Sequence, residues 1–536
     1  MKTKFDFHFW LIFGIAAVLY IPFNGAVDLF DWDEINFAES AREMIVSGDY
    51  TTVTINFKAF WEKPPLFIWM QVLSMKLFGI NAFAARFPNA IAGVVTLLTL
   101  FSLGRKMYGL RFGYFWSLLQ GFSFLPFLYF KSGIIDPWFN YFIFLGIYQF
   151  IVAYQGEVNK KRMVLSAVFI GLATLTKGPV ALLLFGLTVV ITLLIKKNWK
   201  LFQVLPILIW LLSFMLVGGS WFFYLFLSGN KQVIIDFIVY QIRLFQTEDA
   251  GHGGFFLYHF VVYFFAVFPA MWWALPQLFS RAKNNTLVLS MQVLFWVVLI
   301  LFTIVQTKIV HYSSMAYFAV SFLGAIQLLE WQENRKEWRG IYYYGWMTVQ
   351  LIWIILLIVL PIFWSKKELW KSLIKDEMAK DNLEAIIHFP IWGIAFAVVL
   401  LFLFGMVHYY KNRNPNRAMI SMFSLSVLTF VCWVVIIPIR VSPITQRSAI
   451  IMCEFAVNNN LIIQNVGYKS YAPLFYGERK FLFEKDDEWL TQNNPDGKIV
   501  LLFKKPHFIE VAKTHSKLRI LAEKNGFVLA YTKINQ

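Results

Sequence analysis

Charged residues are scarce in this chain. Asp, Glu, Lys and Arg make up 15% of its 536 residues, whereas 59% are hydrophobic and the mean hydropathy is +0.60. Soluble domains carry about 25% charged residues. The composition therefore excludes an ordinary soluble protein and predicts a chain embedded in a membrane.

Cysteine is nearly absent, and the sequence has no glycine-rich phosphate loop and no internal repeat. Cys432 and Cys453 supply neither a disulfide framework nor a Cys-x-x-Cys metal site, which argues against redox chemistry and structural zinc. Lys177-Gly178 lacks the rest of a Walker motif. The net charge of +17 is scattered between apolar runs, so nucleic-acid binding is not predicted.

Long apolar runs recur from residue 9 to about residue 438 and predict roughly thirteen transmembrane helices, the first of them retained rather than cleaved. The run 163–195 is predicted as two helices, because Pro179 breaks a helix and Lys177 is costly at mid-bilayer. The fold class is thus a polytopic α-helical membrane protein.

Basic residues mark alternate loops between these helices. Short cytoplasmic loops are enriched in Lys and Arg, which predicts a cytoplasmic N-terminus and, with an odd number of spans, an external tail. The basic residues are Lys2, Lys4, Arg105, Lys106, Arg111, Lys160, Lys161, Arg162, Lys196, Lys197, Lys200, Arg281, Lys283, Arg335, Lys336, Arg339, Lys411, Arg413 and Arg417.

The tail differs in composition from the rest of the chain. Residues 440–536 contain 14 Lys and Arg and 9 Asp and Glu in 97 positions, so 1–439 is predicted as the transmembrane domain and 440–536 as a small external α/β domain. The pattern predicts a helix at 446–458, strands at 461–466, 480–483 and 498–503, and a hairpin at 519–533 around Asn525-Gly526.

The first external loop, 28–82, begins with an amphipathic pattern. Ile35, Ala38 and Ala41 recur at helical spacing, which predicts a helix lying in the membrane interface with Asp33 at its N-terminal end. Asp33 is then either a helix cap or a functional carboxylate stabilised by the helix dipole.

Glu62 and Lys63 follow in the same loop, just before Pro64-Pro65 and a second amphipathic segment. The two prolines predict a stiff backbone that would hold the Glu-Lys pair in place. The pair is consistent with a site, and also with a turn in the aromatic belt whose lysine extends to the interface.

The remaining candidates are predicted at external helix ends: Asp136, Lys177, Arg243, Lys308, His311 and Tyr312. Ionisable groups beside hydrocarbon are functional candidates by default, although each alone also fits a structural ion pair. With the first loop they describe a pocket in which carboxylates deprotonate a hydroxyl or amine while cations neutralise a phosphate.

Several of these segments resemble a known family. Asp33-Glu34, Phe37-Ala38-Glu39, Ala41-Arg42-Glu43-Met44, Gly48-Asp49 and Glu62-Lys63-Pro64-Pro65-Leu66 are similar to the first external loop of bacterial aminoarabinose transferases and protein O-mannosyltransferases. These are polytopic glycosyltransferases of the GT-C superfamily. The resemblance continues through Asp136-Pro137, Thr176-Lys177-Gly178-Pro179 and 308–312, and covers essentially the whole chain.

The resemblance implies that a sugar moves from a polyprenyl-phosphate carrier to an envelope acceptor such as lipid A. Transfer would occur on the periplasmic side of a bacterial inner membrane, by direct displacement with inversion. By analogy the catalytic residues are Asp33 (the base), Glu34 and Asp136, the donor phosphate binds Lys63, Arg243 and Lys177, and Glu62, Lys308, His311 and Tyr312 complete the pocket.

The family's chemistry requires no cofactor, because the donor arrives already activated. The external histidines His252, His311 and His388 have no recognisable ligand spacing, so the sequence leaves a divalent metal open. Membrane lipids are the other expected partners.

One motif departs from the family. Aminoarabinose transferases carry Asp-Glu-x-Arg-Tyr where this chain has Asp33-Glu34-Ile35-Asn36-Phe37, which removes a cation and a phenol beside the proposed base. The sugar and the acceptor are therefore left open, and protein O-glycosylation is the main alternative. The sequence also leaves the oligomeric state open.

A secondary transporter would keep its ionisable groups near the bilayer midplane in two related halves. A sensor would leave the first-loop carboxylates unexplained.

Overall fold

The computed structural model describes residues 5–31, 33–197, 203–246, 253–282, 285–333, 340–411, 413–483, 485–494 and 497–533. Some residues used for the sequence predictions lie outside these ranges: Lys2, Lys4, Lys200, His252, Lys283, Arg335, Lys336 and Arg339.

The described ranges form mainly α-helices. In chain order these are α1 Phe7–Tyr20, α2 Asp33–Ser47, α3 Leu66–Phe78, α4 Ala82–Tyr108, α5 Leu110–Gly121, α6 Phe124–Phe130, α7 Asp136–Ala153, α8 Lys160–Lys177, α9 Val180–Ile195, α10 Val204–Gly218, α11 Ser220–Leu227, α12 Lys231–Gln246, α13 Tyr258–Ala266, α14 Ala270–Leu278, α15 Thr286–Ile304, α16 Tyr317–Gln332, α17 Gly340–Ser365, α18 Lys367–Lys371, α19 Glu377–Asn382, α20 Ile391–Lys411, α21 Pro415–Ile436, α22 Pro438–Val441, α23 Arg447–Asn458, α24 Ala472–Phe475, α25 Asp487–Gln492 and α26 Lys505–Thr514. Within the described ranges, 3₁₀ helices occupy Val310–Ala316 and Ser442–Ile444.

The protein is a multi-pass membrane protein. Six helical stretches of the described residues are long and apolar enough to span a bilayer: Ala82–Tyr108, Thr286–Ile304, Val310–Gln332, Gly340–Ser365, Ile391–Lys411 and Asn416–Ile444. The pairs α10–α11 and α13–α14 are bent by 56° and 120°, and counting each pair as one span raises the number to eight. The polytopic fold is thus confirmed, whereas the figure of about thirteen spans stays a prediction.

The predicted interruption of the run 163–195 is confirmed. Helix α8 ends at Lys177 and α9 begins at Val180. Between them Gly178 has a φ of +105°, a conformation that residues with a side chain rarely adopt, and an added Cβ would lie 2.6 Å from the Phe237 ring. This break puts Lys177 at the end of a helix, where its ammonium reaches the site described below.

The helix predicted over the start of the first loop is present, but its predicted environment is wrong. Residues 34–44 of α2 are all buried. Its apolar face packs with α3 and with Tyr471–Phe475 of the tail, and on its polar face Arg42 donates to the Arg479 carbonyl at 2.5 Å. The tail domain, rather than the membrane interface, therefore covers this helix.

The tail forms the predicted small α/β fold. Its four-stranded sheet has the order β3 Ile462–Val466, β4 Ile499–Lys504, β6 Phe527–Thr532 and β5 Leu518–Lys524, and a two-stranded hairpin in the first loop supplies β1 Thr54–Ile55 and β2 Lys58–Ala59. β3 and β4 are parallel, and the β5–β6 hairpin turns at Asn525-Gly526 as predicted. The strand predicted at 480–483 is wrong, since that segment is irregular.

The tail domain is fastened to the first loop through residues just before α2. The Asp28 carboxylate accepts from the Arg447 guanidinium at 2.8 Å, and the Leu29 amide donates to the Tyr476 hydroxyl at 2.8 Å. These contacts hold the tail domain against the start of the first loop.

Candidate functional site

A cavity of about 490 Å³ lies where the first loop, the helix ends and the tail domain meet. Nine of the ten predicted site residues line it, and Lys308 is the exception. The lining residues are Phe30, Asp31, Asp33, Glu34, Asn36, Phe37, Glu62, Lys63, Tyr129, Ser132, Ile134, Ile135, Asp136, Lys177, Tyr240, Arg243, Ile309, His311, Tyr312, Lys469 and Tyr471.

Two carboxylates approach one histidine in this cavity. Asp33 is the first residue of α2 and Asp136 the first of α7, so both lie at the electropositive ends of helices. His311 Nε2 is 3.4 Å from Asp33 Oδ2 and 3.9 Å from Asp136 Oδ2. The Asp33 side chain is 40% exposed and that of Asp136 only 2%, so Asp33 is the carboxylate that a substrate can reach.

Asp136 belongs to a buried ion pair. Lys177 Nζ donates to Asp136 Oδ1 at 2.6 Å and lies 5.0 Å from the centre of the Tyr312 ring. Among the described residues, Asp136 Oδ2 has no hydrogen-bond partner although it is buried. A buried carboxylate oxygen without a hydrogen-bond partner costs free energy. His311 Nε2 lies 3.9 Å from this oxygen.

A second group of cations surrounds Tyr240. Lys63 Nζ is 5.1 Å and the Arg243 guanidinium carbon 5.2 Å from the centre of the Tyr240 ring. Tyr240 and Arg243 are three residues apart on α12 and share one face. Burial lowers the pKa of Lys63, whereas the nearby charges of Glu62 and Asp33 act in the opposite direction. Two cations held on one aromatic ring suit a bound phosphate.

Glu34 has different surroundings from the other two predicted catalytic carboxylates. Its oxygens accept from the Arg86 guanidinium at 2.9 and 2.6 Å, from the Gly133 amide at 2.5 Å and from the Phe30 amide at 2.9 Å. Burial raises the pKa of Glu34, but the charge of Arg86 and these hydrogen bonds outweigh it, so the pKa is lowered. Glu34 therefore anchors α2 to α4 through Arg86.

Lys308 is not brought into the cavity, contrary to the prediction. Its ammonium donates to the carbonyls of Phe302, Thr303 and Val305 at 3.1, 2.6 and 2.5 Å. Helix α15 ends here, and its last carbonyls attract a cation. Burial lowers the pKa of Lys308. This lysine therefore caps the C-terminal end of α15.

A smaller, mostly apolar cavity of about 60 Å³ adjoins the main one. The two share Lys63, Lys177 and Tyr312. The other lining residues are Phe139, Val180, Gln241, Phe302 and Val305. A cationic group at the mouth of an apolar space suits the phosphate and the first carbons of a lipid.

The unpredicted residues of the cavity wall include three tyrosines and a lysine, and an arginine that supports the wall was not predicted either. Tyr129, Tyr240, Lys469 and Tyr471 line the cavity, and Arg86 holds Glu34. Only Arg86 carried a signal, since an arginine inside a predicted span requires a partner. The aromatic residues are three among 23 tyrosines, and nothing in the sequence links Lys469 to the first loop.

In the part of the chain that the structure describes, no three His, Cys, Asp or Glu side chains are grouped so that they could hold a metal ion. His311 is near Asp33 and Asp136, at the distances given above, but the three side chains do not form such a group.

Part of the helical domain matches a known protein family. Residues 62–222 match the family model described as dolichyl-phosphate-mannose-protein mannosyltransferase. An uncharacterized protein of Aquifex aeolicus is 27% identical over 385 residues, which is 67% of this chain and 74% of that protein.

Two curated relatives are described as undecaprenyl phosphate-alpha-4-amino-4-deoxy-L-arabinose arabinosyl transferases. That of Photorhabdus laumondii is 25% identical over 406 residues, covering 72% of this chain and 69% of the relative. That of Edwardsiella ictaluri is 27% identical over 267 residues, and the match spans 48% of each protein.

The fold matches a solved structure over nearly its whole length. The crystal structure of ArnT from Cupriavidus metallidurans bound to undecaprenyl phosphate has a TM-score of 0.79, at 18% identity and 97% coverage of both chains. The apo structure of the same protein has a TM-score of 0.78. These similarities confirm the predicted resemblance, and the chain is a membrane glycosyltransferase that resembles the GT-C family of ArnT and the protein mannosyltransferases.

Proposed function

We propose that this protein transfers a sugar from a polyprenyl-phosphate carrier to an envelope acceptor, with lipid A as the first candidate, on the periplasmic side of a bacterial inner membrane. One observation supports this most strongly. A single cavity contains the accessible carboxylate of Asp33 and the cations Lys63 and Arg243, and it adjoins an apolar space at Lys63. Its size of about 490 Å³ suits a sugar with a phosphate.

In the proposed reaction Asp33 is the general base. Its carboxylate takes the proton from the acceptor nucleophile, whose electron pair forms a bond to the anomeric carbon. The bond between that carbon and the carrier phosphate oxygen breaks at the same time, and its electron pair stays on the phosphate. Attack and departure on opposite faces invert the anomeric centre.

Lys63 and Arg243 stabilise the leaving phosphate in this scheme. The phosphate gains negative charge as the sugar departs, and two cations fixed on the Tyr240 ring require little rearrangement to receive it. Burial lowers the pKa of Lys63, and a bound phosphate reverses that effect by favouring the ammonium. A bound phosphate therefore stabilises the ammonium form of Lys63, which is the form that the leaving group needs.

The second carboxylate has a supporting role. Asp136 and Lys177 form a 2.6 Å ion pair, and His311 Nε2 is near both the accessible carboxylate of Asp33 and the buried carboxylate of Asp136. His311 orients Asp33, and Lys177 with Tyr312 forms the wall shared with the apolar cavity, where the first carbons of the carrier would lie. Glu62 balances the charge of Lys63.

A second acceptor class is supported by the family comparison. The matching family model carries the description of a protein mannosyltransferase, so a protein hydroxyl is the alternative acceptor. The same donor site and the same base would serve both acceptors.

The test is mass spectrometry of envelope lipids and proteins from cells that express the wild type, Asp33→Asn or the control Asp49→Asn. Asp49 lies in the same loop but is exposed and outside the cavity. We expect one glycan mass to disappear with Asp33→Asn only, while the polyprenyl-phosphate sugar accumulates. Loss from lipid A favours the first acceptor and loss from a protein favours the second. Unchanged glycans together with unchanged carrier lipids in Asp33→Asn would refute the proposal.

A further inference from the structure

The tail domain contributes its own wall to the cavity. Lys469 and Tyr471 line it together with Asp33 and Lys63. The Lys469 side chain is largely exposed, and its ammonium lies 5.5 Å from the centre of the Tyr471 ring. A cation and a phenol, both of which donate hydrogen bonds to oxygen, thus border the site from outside the helical domain.

Asp31 fixes this segment in place. Its carboxylate accepts from the Tyr471 amide at 3.2 Å and from the Ser470 hydroxyl. Its own amide donates to Gln446 Oε1 at 3.0 Å. Asp31 is two residues before the proposed base, so the same short stretch presents Asp33 and holds the tail segment against it.

Tyr471 lines the same cavity as Asp31, Asp33 and Glu62. Burial, followed by the negative charges of Glu62, Asp31 and Asp33, raises the pKa of Tyr471. The phenol therefore stays protonated and remains a donor at neutral pH. It cannot act as a second base, but it can hold an oxygen of a substrate next to Asp33.

The donor and tail cations belong to different parts of the fold. Lys63 and Arg243 lie on the first loop and on α12, around one tyrosine, whereas Lys469 lies on the tail beside another. A transferase needs two binding regions on either side of the anomeric carbon. The carrier phosphate already has one pair of cations, which leaves the tail for the other substrate.

Resting on the proposed function, we infer that Lys469 and Tyr471 bind the acceptor through a phosphate that lies beside its nucleophile, and that Asp31 is the positioning residue of this acceptor wall. An ammonium and a phenol supply donors to anionic oxygens, as a phosphorylated glycolipid requires. The sugar-accepting side of the reaction is thus assigned to the tail domain.

The test uses the full-length protein in lipid nanodiscs and two measurements. The first is affinity for undecaprenyl phosphate alone, and the second is transfer to purified lipid A from the polyprenyl-phosphate sugar that accumulates in Asp33→Asn cells. The variants are Lys469→Ala, Lys469→Arg, Lys469→Glu and Tyr471→Phe. Lys513→Ala is the matched control, because this lysine is exposed in the same domain and outside the cavity.

We expect every tail variant to bind undecaprenyl phosphate within about twofold of the wild type, since the carrier contacts lie elsewhere. Lys469→Ala should raise the KM for lipid A about tenfold, the usual scale for a lost charge-assisted hydrogen bond. Lys469→Glu should raise the KM further, whereas Lys469→Arg should keep the KM close to that of the wild type. Tyr471→Phe should raise it less, with kcat nearly unchanged.

Asp31 requires its own comparison. Asp31→Ala should raise the KM for lipid A, Asp31→Asn should restore part of it through the remaining carbonyl oxygen, and adding Lys469→Ala to Asp31→Ala should change little more. If the effects of Asp31→Ala and Lys469→Ala on the KM add up in the double variant, Asp31 does not act through Lys469. That result would overturn the positioning role of Asp31.

Three results would overturn the acceptor assignment. One is unchanged transfer in both Lys469→Ala and Lys469→Glu. Another is a loss of carrier affinity in Lys469→Ala as large as in Lys63→Ala, which would make Lys469 a donor contact. The third is that the wild type transfers the sugar to a protein and not to lipid A, which would contradict binding of the acceptor through a phosphate. Failure of the wild type to bind undecaprenyl phosphate refutes the proposed function itself, so the two failures are distinguishable.

Discussion

The two carboxylates beside His311 share one imidazole but have different environments. Asp33 faces the cavity, whereas Asp136 is buried and holds Lys177 at 2.6 Å. A group that takes a proton from a substrate must be reachable, and a group that fixes a cation is best kept dry. Asp33 is therefore the base of the proposed mechanism, and Asp136 the residue that orders its surroundings.

At the donor site, Lys63→Ala should weaken binding of undecaprenyl phosphate about 10- to 100-fold, because a charge-assisted contact contributes about 1.5–3 kcal/mol. Arg243→Ala should act in the same direction. The measurement is carrier affinity in nanodiscs, with Lys58→Ala as the control from the same loop, exposed and outside the cavity. Wild-type affinity in both Lys63→Ala and Arg243→Ala would remove these residues from the donor site.

For the buried pair, Asp136→Asn should lower the free energy of unfolding by about 3–5 kcal/mol, since it leaves the Lys177 charge without its partner. Adding Lys177→Met should recover much of that loss, because both charges are then gone. Thermal unfolding in nanodiscs measures this, and equal instability of the single and double variants would contradict it. Transfer should stay low in the double variant.

At the level of elements, the burial of α2 explains how the first loop can be both polar and rigid. Within this helix Arg42 forms two hydrogen bonds of 2.7 Å with Glu39, and Glu43 accepts from the Thr54 hydroxyl at 2.7 Å. An amphipathic pattern predicts a helix with one apolar face, but the membrane interface and a second domain both satisfy it. The sequence therefore predicted the helix correctly and its surroundings wrongly.

Glu39 gives α2 a dependence on pH. Burial raises the pKa of Glu39 to about 7, and Arg42 only partly offsets this. Because the pKa in the folded state lies above the ordinary value of 4.5, the stabilising contribution is present below about pH 4.5 and is lost as the pH rises through about 7. The thermal midpoint of unfolding should therefore decrease as the pH is raised from about 5 to about 8.

Glu39→Gln should flatten this fall, because glutamine stays neutral throughout. The control is Glu510→Gln, which changes an exposed side chain of the tail. A wild-type midpoint that is constant or rises over the same range would show that Glu39 is ionised throughout in the folded protein.

On the scale of the whole molecule, the first-loop motifs, the charge pattern of the loops and the family resemblance together predicted many of the residues that meet. Nine of the ten candidates line one cavity. Alternating basic loops had predicted that their helix ends lie on one side of the membrane. Lys308 differs since it binds carbonyls within three to six residues, a local contact that no loop pattern reveals. Lys469 and Tyr471 were not predicted, because a contact between 31 and 471 leaves no trace in either local pattern.

The most direct test of the account is transfer by the purified full-length protein, started with the polyprenyl-phosphate sugar from Asp33→Asn cells and followed by mass spectrometry of the released carrier phosphate. The wild type should consume the donor when acceptor is present. Asp33→Asn should bind undecaprenyl phosphate normally yet release carrier phosphate at least about 100-fold more slowly, the scale of a lost general base. Release by Asp33→Asn at the wild-type rate would contradict the assignment of this cavity as the site of sugar transfer.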